Sequence, residues 1–420
     1  MERTDCQPLK PPARSPVEPN LRLDCRRYRG DRPCAAGVQG VCPAECGQYS
    51  PMGHRILVIK LAALGDVIRT AALLPGVKAS WPTSHITWVT RPNAVRMLAN
   101  HPLIDRLLPF DADSLCHLKC EQFDLCLSLD KEPAPAGLAM RVRAAERRGL
   151  GLSRYGTVFP LNPECGPYFR LGLDDDLKFN RNAASYQQLI YAAVGLDYVG
   201  QRYRLYPGPA HHRQARRAWQ QVGVRAGETV IGLNTGAGDV FANKTWPPEK
   251  FAQFAELLVR RHGWRVALLG GPREDEINRR IADTCRDLTL PRDGRAAPAV
   301  LNVCADARRA GISLDELGFV ALLAGCSAVV TGDTMAVHVA IAMDVPCVVL
   351  FGPTCAQEID VHDCGTKVVT TLPCAPCYRR TCDFSPNCMD DITLERVLTA
   401  VERWVRQPRS APETVVPLGV

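Results

Sequence analysis

The chain is predicted to be an α/β protein built as two successive doubly wound domains, each a parallel sheet with helices on both faces, facing one another across a cleft. Three observations predict it. Short Ile- and Val-rich runs alternate with helical segments from HRILVIKL (54–61) to PCVVLFGPT (346–354), the pattern of a parallel sheet joined by helical crossovers. The chain's 420 residues correspond to two or three domains at about 150 residues each. The alternation is interrupted once, by the turn-rich LYPGPAH that places a boundary near 207–209, since linkers between domains are rich in Pro and Gly.

The elements follow in order. Residues 1–52 are rich in Pro, Arg, Gly and Cys and lack apolar periodicity, so they are predicted as an extension. HRILVIKL is then a fully buried strand, and IRTAALLPGVKASW a helix. HITWVTR (85–91) is a strand, AVRMLANHP (94–102) a helix, and IDRLLPF and FDLCLSL (123–129) are strands. SYQQLIYAAVGL (185–196) is a helix before the boundary. In the second half RQARRAWQQVG is a helix, TVIGLNTG (229–236) a strand running into a glycine turn, and PEKFAQFAELLVRRHG (248–263) an amphipathic helix stopped by glycine. WRVALLGG (264–271), EDEINRRIADTC, SLDELGFVALLAGC (313–326), SAVVTGDT (327–334), MAVHVAIAMD (335–344) and PCVVLFGPT continue the alternation. DITLERVLTAVERWV (391–405) is a terminal helix. The predicted organisation is therefore an extension (1–52), a first Rossmann-like domain (53–207), a second (208–390), and a C-terminal helix and tail (391–420). Open parallel sheets bind ligands at the carboxyl ends of their strands, so two such sheets place a site between the domains.

Composition bounds the function. Hydrophobic residues at 46% and charged residues at 23% are those of an ordinary globular protein. No uninterrupted apolar stretch approaches the length of a membrane span. The opening MERTDCQPLKPPARSP has no apolar core, so it does not read as a secretory signal, and a cytoplasmic protein is expected. The net charge of +7 suits a nucleotide phosphate, an acidic polymer or an anionic membrane face without choosing among them. The basic runs at 141–154 and 214–219 read as solvated helix faces. No aromatic residues interleave with them as base-stacking platforms require, so nucleic acid is not expected.

Three segments carry chemistry. In VIKLAALGDV (58–67) a buried strand ends in a small-residue loop, with Asp66 at the opening of the next helix. Asp66 is there either a helix N-cap or a cleft carboxylate acting as general base. In LNTGAGDVFANKTWP (233–247), Gly236 and Gly238 form a turn whose N–H groups can face an anion, and Lys244 adds a point charge. The lysine comes too late for a Walker loop, and a plain long loop is the alternative. In VVTGDTMAVHVAIA (329–342) a strand ends in Gly-Asp-Thr and caps a helix carrying His338. That helix start offers a phosphate site, or Asp333 or Thr334 merely caps it and His338 is a core histidine. LLGGPREDE (268–276) adds Gly271 and Glu274, a carboxylate suited to ribose hydroxyls.

The order of these motifs resembles glycosyltransferase family 9, the ADP-heptose heptosyltransferases of the lipopolysaccharide inner core. The resemblance runs from about 54 to 405 and rests on ILVIKLAALGDVIRTAALLP, TGAGDVFANKTWPPEKFAQFAELL and TGDTMAVHVAIAMDVPCVVLFGPT. It implies the GT-B architecture, with the acceptor bound mainly by the first domain and the nucleotide-sugar by the second, and a C-terminal helix returning to the first domain. It implies inverting, single-displacement transfer of heptose from ADP-heptose to a glycolipid or glycan acceptor. Asp66 is then the catalytic base and Lys244 the phosphate contact, with Asp333, Thr334 and His338 lining the donor pocket and Glu274 holding ribose. Met335 stands where the family commonly has a smaller residue, which changes the volume beside the phosphates or sugar. No catalytic metal is expected if Lys244 and helix dipoles carry the phosphate charge. The resemblance also implies peripheral contact with the inner face of the cytoplasmic membrane. A protein O-heptosyltransferase of the autotransporter type, and a non-catalytic nucleotide-sugar-binding or redox-sensing module, remain as alternatives.

Nineteen cysteines complete the reading. Cys25, Cys34, Cys42 and Cys46 crowd a segment too small for a core and imply a staple, zinc or an iron–sulfur cluster, with a structural or docking role. Cys374, Cys377, Cys382 and Cys388, with Cys355 upstream, have short spacings that suit a structural zinc or iron. Disulfides and plain thiols stay open for the second group. Relatives that heptosylate autotransporters look similar in carrying a Cys-ligated metal near there.

Overall fold

The computed structural model describes residues 17–18, 20–238 and 240–406. Cys6 of the extension and the tail from 407 onward lie outside the described residues.

The first sheet holds β1 (Arg55–Ile59), β2 (His85–Thr90), β3 (Arg106–Pro109), β4 (Gln122–Ser128), β5 (Arg143–Leu152) and β6 (Val158–Pro160). Their spatial order is β3-β2-β1-β4-β5-β6. All pairs are parallel except β5 with β6, and Ile56 stands opposite both Ile86 and Leu125. The central strands are buried on both faces, and all six residues of β2 are buried, which is why they read as continuous apolar runs. The second sheet holds β7 (Val230–Asn234), β8 (Arg265–Leu269), β11 (Val300–Leu301), β12 (Ala328–Gly332), β13 (Cys347–Phe351) and β14 (Gly365–Val369). A separate hairpin of β9 (Thr289–Arg292) and β10 (Arg295–Pro298) precedes β11. The order β11-β8-β7-β12-β13-β14 repeats the topology of the first sheet. Each sheet therefore reverses its strand order at one point, between β1 and β4 and between β7 and β12. A doubly wound sheet opens its ligand crevice there, at the carboxyl ends of the strands.

Capping explains several boundaries. Ser185 accepts from the N–H of Gln188 while the Gln188 side chain accepts from the N–H of Ser185, starting helix Tyr186–Ala193. Helix Pro248–His262 stops at Gly263, which adopts a left-handed φ of 65°. The single helix expected after the first loop is two, Leu64–Thr70 and Leu73–Ser80.

Two expectations are corrected. The basic run 141–154 is not a helix face: it forms β5, paired in parallel with β4. Gly149 has φ +101° and sits so close to Ser128 that a Cβ would lie 2.0 Å from the Ser128 carbonyl oxygen. The charge of the run is used locally, since the Arg147 guanidinium donates to the carbonyls of Ala139, Val142 and Ala144. Strand pairing therefore overrides the surface reading of the charges. The terminal helix Leu394–Arg406 likewise does not return to the first domain. It buries Val397, Leu398 and Val401 with Ile231, Val330 and Val348 of the second sheet. Trp404 Nε1 donates to Thr366 Oγ1 at 2.9 Å and His262 Nε2 lies 2.8 Å from Glu402. The apolar face of the helix is covered on its own sheet and has no need of the other.

Candidate functional site

At the first switch point the chain leaves β1 through Lys60 and leaves β4 through Asp130. Both side chains are almost fully buried, at 4% and 6% exposure, and they form an ion pair. Asp130 also accepts from the N–H of Leu61, so the carboxylate ties the two strand ends together. Burial alone would lower the Lys60 pKa, but Tyr186, Asp130 and Asp66 raise it, and the ammonium stays charged.

Asp66 is not the N-cap of its helix. Ala63 holds that place, and Asp66 is the third helical residue, reaching back to the N–H of Ala63 at 3.3 Å. Its other partner is Arg69, at 2.7 Å. Burial acts to raise the Asp66 pKa, yet the charges of Arg69, Lys60 and His338 overcome it and hold the carboxyl down at about 2. Asp66 is therefore ionised and a third exposed. Arg69 also lies 3.9 Å from Glu358, past β13 in the second half of the chain, and its guanidinium stacks 3.7 Å from the Tyr186 ring centre.

At the second switch point Asn234 ends β7. Its Nδ2 donates to the Gly236 carbonyl at 2.9 Å, Thr331 Oγ1 at 3.2 Å and Thr334 Oγ1 at 3.3 Å. Thr334 is the N-cap of helix Met335–Ala342 and accepts from the N–H of Ala336. The loop bearing Lys244 passes against β12, where a Cβ on Gly332 would lie 2.0 Å from the Lys244 carbonyl oxygen. Only glycine permits that approach. Lys244 Nζ stands 4.0 Å from Asp333, largely buried. Glu274 accepts from the N–H of Gly271 at 2.8 Å and packs on Gly236.

The loops at the two switch points share one cavity of about 780 Å³, which Gly65, Gly236, Gly238, Lys244, Gly271, Glu274, Thr334 and Met335 help to line, whereas Asp66 and Asp333 stand next in sequence to lining residues without lining it themselves. Arg96 and Met97 close it from the first half, with Arg308 and Phe319 opposite. Arg96 bridges the halves, 3.6 Å from Glu316. A cavity lined by a glycine turn, a lysine and a helix start suits a phosphorylated ligand. His338 does not line it. It is buried beneath the Gly65 loop, with Nδ1 3.1 Å from Tyr203 Oη. Burial, with Arg69 nearby, pushes its pKa down to about 4, so the ring is neutral at physiological pH.

The cysteines divide differently from expectation. Among the described residues, no three or more Cys, His, Asp or Glu side chains stand close enough together to hold a metal ion as placed. Cys374, Cys377, Cys382 and Cys388 nevertheless line a single small pocket behind the Lys244 loop. Burial and the other three thiols push the Cys388 thiol up to about 11. Cys355 does not belong with them: it caps the short helix Ala356–Glu358, and its Sγ faces the Lys178 carbonyl of the first half of the chain at 3.8 Å. Cys25, Cys34, Cys42 and Cys46 line another small pocket, in the extension.

Sequence reasoning missed Lys60, Asp130, Arg69 and Asn234. Lys60 left a signal, a lysine inside an apolar strand run, which needs a buried anion. Asp130 follows a buried run in the same way. Arg69 and Asn234 acquire their meaning only from partners far along the chain.

Comparison with known proteins agrees with this geometry. Residues 177–387 match the model of glycosyltransferase family 9 (heptosyltransferase). Lipopolysaccharide heptosyltransferase 1 of Pseudomonas aeruginosa is 24% identical over 396 residues, covering 85% of this chain and 99% of its own. Lipooligosaccharide heptosyltransferase 2 of Haemophilus influenzae is 25% identical over 330 residues, covering 72% and 84%. Among solved structures, a family 9 glycosyl transferase from Veillonella parvula superposes with a TM-score of 0.63 at 20% identity, covering 84% of this chain and 97% of that one. The ADP-heptose heptosyltransferase II of E. coli gives 0.58 at 20% identity, covering 84% and 98%. The paired sheets are thus the GT-B fold, and the chain belongs to glycosyltransferase family 9, the heptosyltransferases.

Proposed function

We propose that this glycosyltransferase transfers heptose from ADP-heptose, with inversion, to a hydroxyl of a lipopolysaccharide-core acceptor. The observation that carries the reading is the single cavity in which the loop before Asp66 meets Lys244 and the Thr334 helix start. An inverting displacement needs a base on one face of the anomeric carbon and stabilisation of the leaving group on the other. Asp66 is the base. Lys244 and the N–H groups of the Gly236–Gly238 turn and of the Met335 helix start take the diphosphate, and Glu274 accepts from ribose hydroxyls. A base whose carboxyl is held near 2 by Arg69 is weak. Loosening of the Arg69 pair as the acceptor binds would strengthen it, with Glu358 and Tyr186 already at hand to hold the guanidinium. His338 is a positioning residue, holding Gly65 and so the entry to the Asp66 helix. The donor is named in the relatives rather than read from the cavity, and the glycolipid acceptor likewise. Such an acceptor places the enzyme at the inner face of the cytoplasmic membrane as a peripheral protein. Among the described residues no helix is long and apolar enough to cross it.

The Cys374, Cys377, Cys382 and Cys388 thiols, which line one pocket with Ala242 and Asn243 of the Lys244 loop, support a structural role for a soft metal ion there. An ion there would brace the loop and take no part in the transfer. A protein acceptor is the second reading. Incubation with ADP-heptose and two acceptors, a core glycolipid and an autotransporter passenger peptide, with product mass as readout, tests both. A heptose increment on the glycolipid supports the first reading, and one on the peptide alone replaces it with the second. No increment on either refutes heptose transfer to these acceptors.

A further inference from the structure

We propose that Cys25, Cys34, Cys42 and Cys46 form a second, separate zinc site that staples the amino-terminal extension to the base of the first domain. All four thiols line one small pocket together with Arg22, Tyr28 and Tyr49, and none is in a disulfide. Disulfide pairing would sort the sulfurs two by two, whereas here all four border the same small pocket. As placed they do not close on a common point, so ligation requires rotamer changes at the half-buried Cys34 and Cys42.

The backbone is folded as thiolate ligation requires. The carbonyl of Cys25 accepts from the N–H of Tyr28, that of Cys34 from Gly37, and that of Cys46 from Tyr49, at 3.1, 2.8 and 3.0 Å. Three of the four cysteines thus open a tight turn of the same span. At Cys34 the turn aims an N–H at sulfur: Ala36 N lies 3.4 Å from Cys34 Sγ. Backbone N–H groups directed at a sulfur stabilise its thiolate, the form a metal binds. Arg22 brings a cation to a site that four thiolates around one divalent ion would leave negative. Binding exchanges four S–H protons, released to solvent, for four Zn–S bonds.

The fold also explains what the ion would do. Among the described residues of the extension only Cys25 is a buried hydrophobic, so no apolar core orders the segment and a staple is needed. Next to Cys25, the Arg26 guanidinium donates to the carbonyls of Pro51, Met52, Thr83 and Ser84 and pairs with Asp105. Those partners precede β1, β2 and β3, at the amino ends of the strands, opposite the cleft. The site therefore anchors the extension without touching the donor cavity, and it stands whatever the sugar and acceptor prove to be.

The test uses the full-length chain purified under reducing conditions. Metal content by mass spectrometry is compared between the natural chain and a Cys34→Ser/Cys42→Ser variant, with Cys377→Ser as control for the other cluster. The variant should lose about one zinc per chain that Cys377→Ser retains, its thermal midpoint should fall by several degrees, and sugar transfer should be unchanged. Identical zinc content in the two, or a non-reduced intact mass showing these cysteines as disulfides, overturns the proposal. If the variant fails to fold, alkylation of the natural chain decides. The four thiols should be protected until a chelator is added, and equal labelling with and without chelator overturns the site.

Discussion

Gly65 and His338 meet where the two halves of the enzyme join: a Cβ on residue 65 would lie 2.7 Å from His338 Cδ2. The histidine is buried and the next turn of its helix is packed, so it cannot retreat freely. The two sheets are thus held in register at the residue that precedes Asp66, the proposed base. Gly65→Ala should destabilise the protein by about 1–3 kcal/mol, as overpacking does, and should lower kcat more than it raises donor KM. Denaturant midpoints and steady-state kinetics on the same variant check both effects.

Asp66→Asn keeps size and removes the proposed base. Transfer should fall by about 10²–10⁴-fold while ADP-heptose binding stays within a few-fold, measured by calorimetry. A comparable loss of donor affinity would move Asp66 out of the role of base.

Arg69 tunes that base. With Arg69→Met, burial is no longer opposed by its strongest neighbour, so the Asp66 pKa rises from about 2. The acidic limb of kcat/KM should move to higher pH, because the group must be ionised to act. A pH profile unchanged in Arg69→Met would separate Asp66 from the limb.

Lys244→Ala removes one charge-assisted contact, a class worth about 1.5–3 kcal/mol. Donor affinity should weaken by about 10- to 100-fold, and acceptor KM should hold.

His338 and His101 predict the acid behaviour of the fold. Burial holds both near 4, below the ordinary 6.5. Between those values the unfolded chain binds protons that the folded chain refuses, so stability falls as pH drops from about 6.5 to 4 and levels below that. Each histidine contributes at most about 3 kcal/mol of this loss. Unfolding midpoints from pH 7 to 4 should show the slope, and His101→Gln should reduce it.

The strands of both sheets were legible because central parallel strands are buried on both faces, and their apolar runs cannot be mistaken for surface. That Gly236, Gly238, Thr334 and Lys244 belong to loops at the strand ends was legible too, since they carry backbone and charge requirements that depend on near neighbours. The β5 run misled for the opposite reason: Arg147 and Arg148 find their acceptors at 139–144 and 194, and a charge run does not announce such partners. The face of the Leu394–Arg406 helix was plain, but which sheet would cover it was not.

Local composition and spacing alone determined the two doubly wound sheets, the pair of loops at their switch points and the residues those loops carry, because burial patterns and glycine requirements are imposed within a few residues. Only the tertiary structure decided that Asp66 is held by Arg69 rather than free, that Lys60 answers Asp130, that His338 supports Gly65 instead of facing the ligand, and that eight cysteines gather in two pockets. Each of those relations joins groups far apart in the chain. Their energies come from desolvation and charge pairing in a folded interior, and neither exists until the sheets have closed.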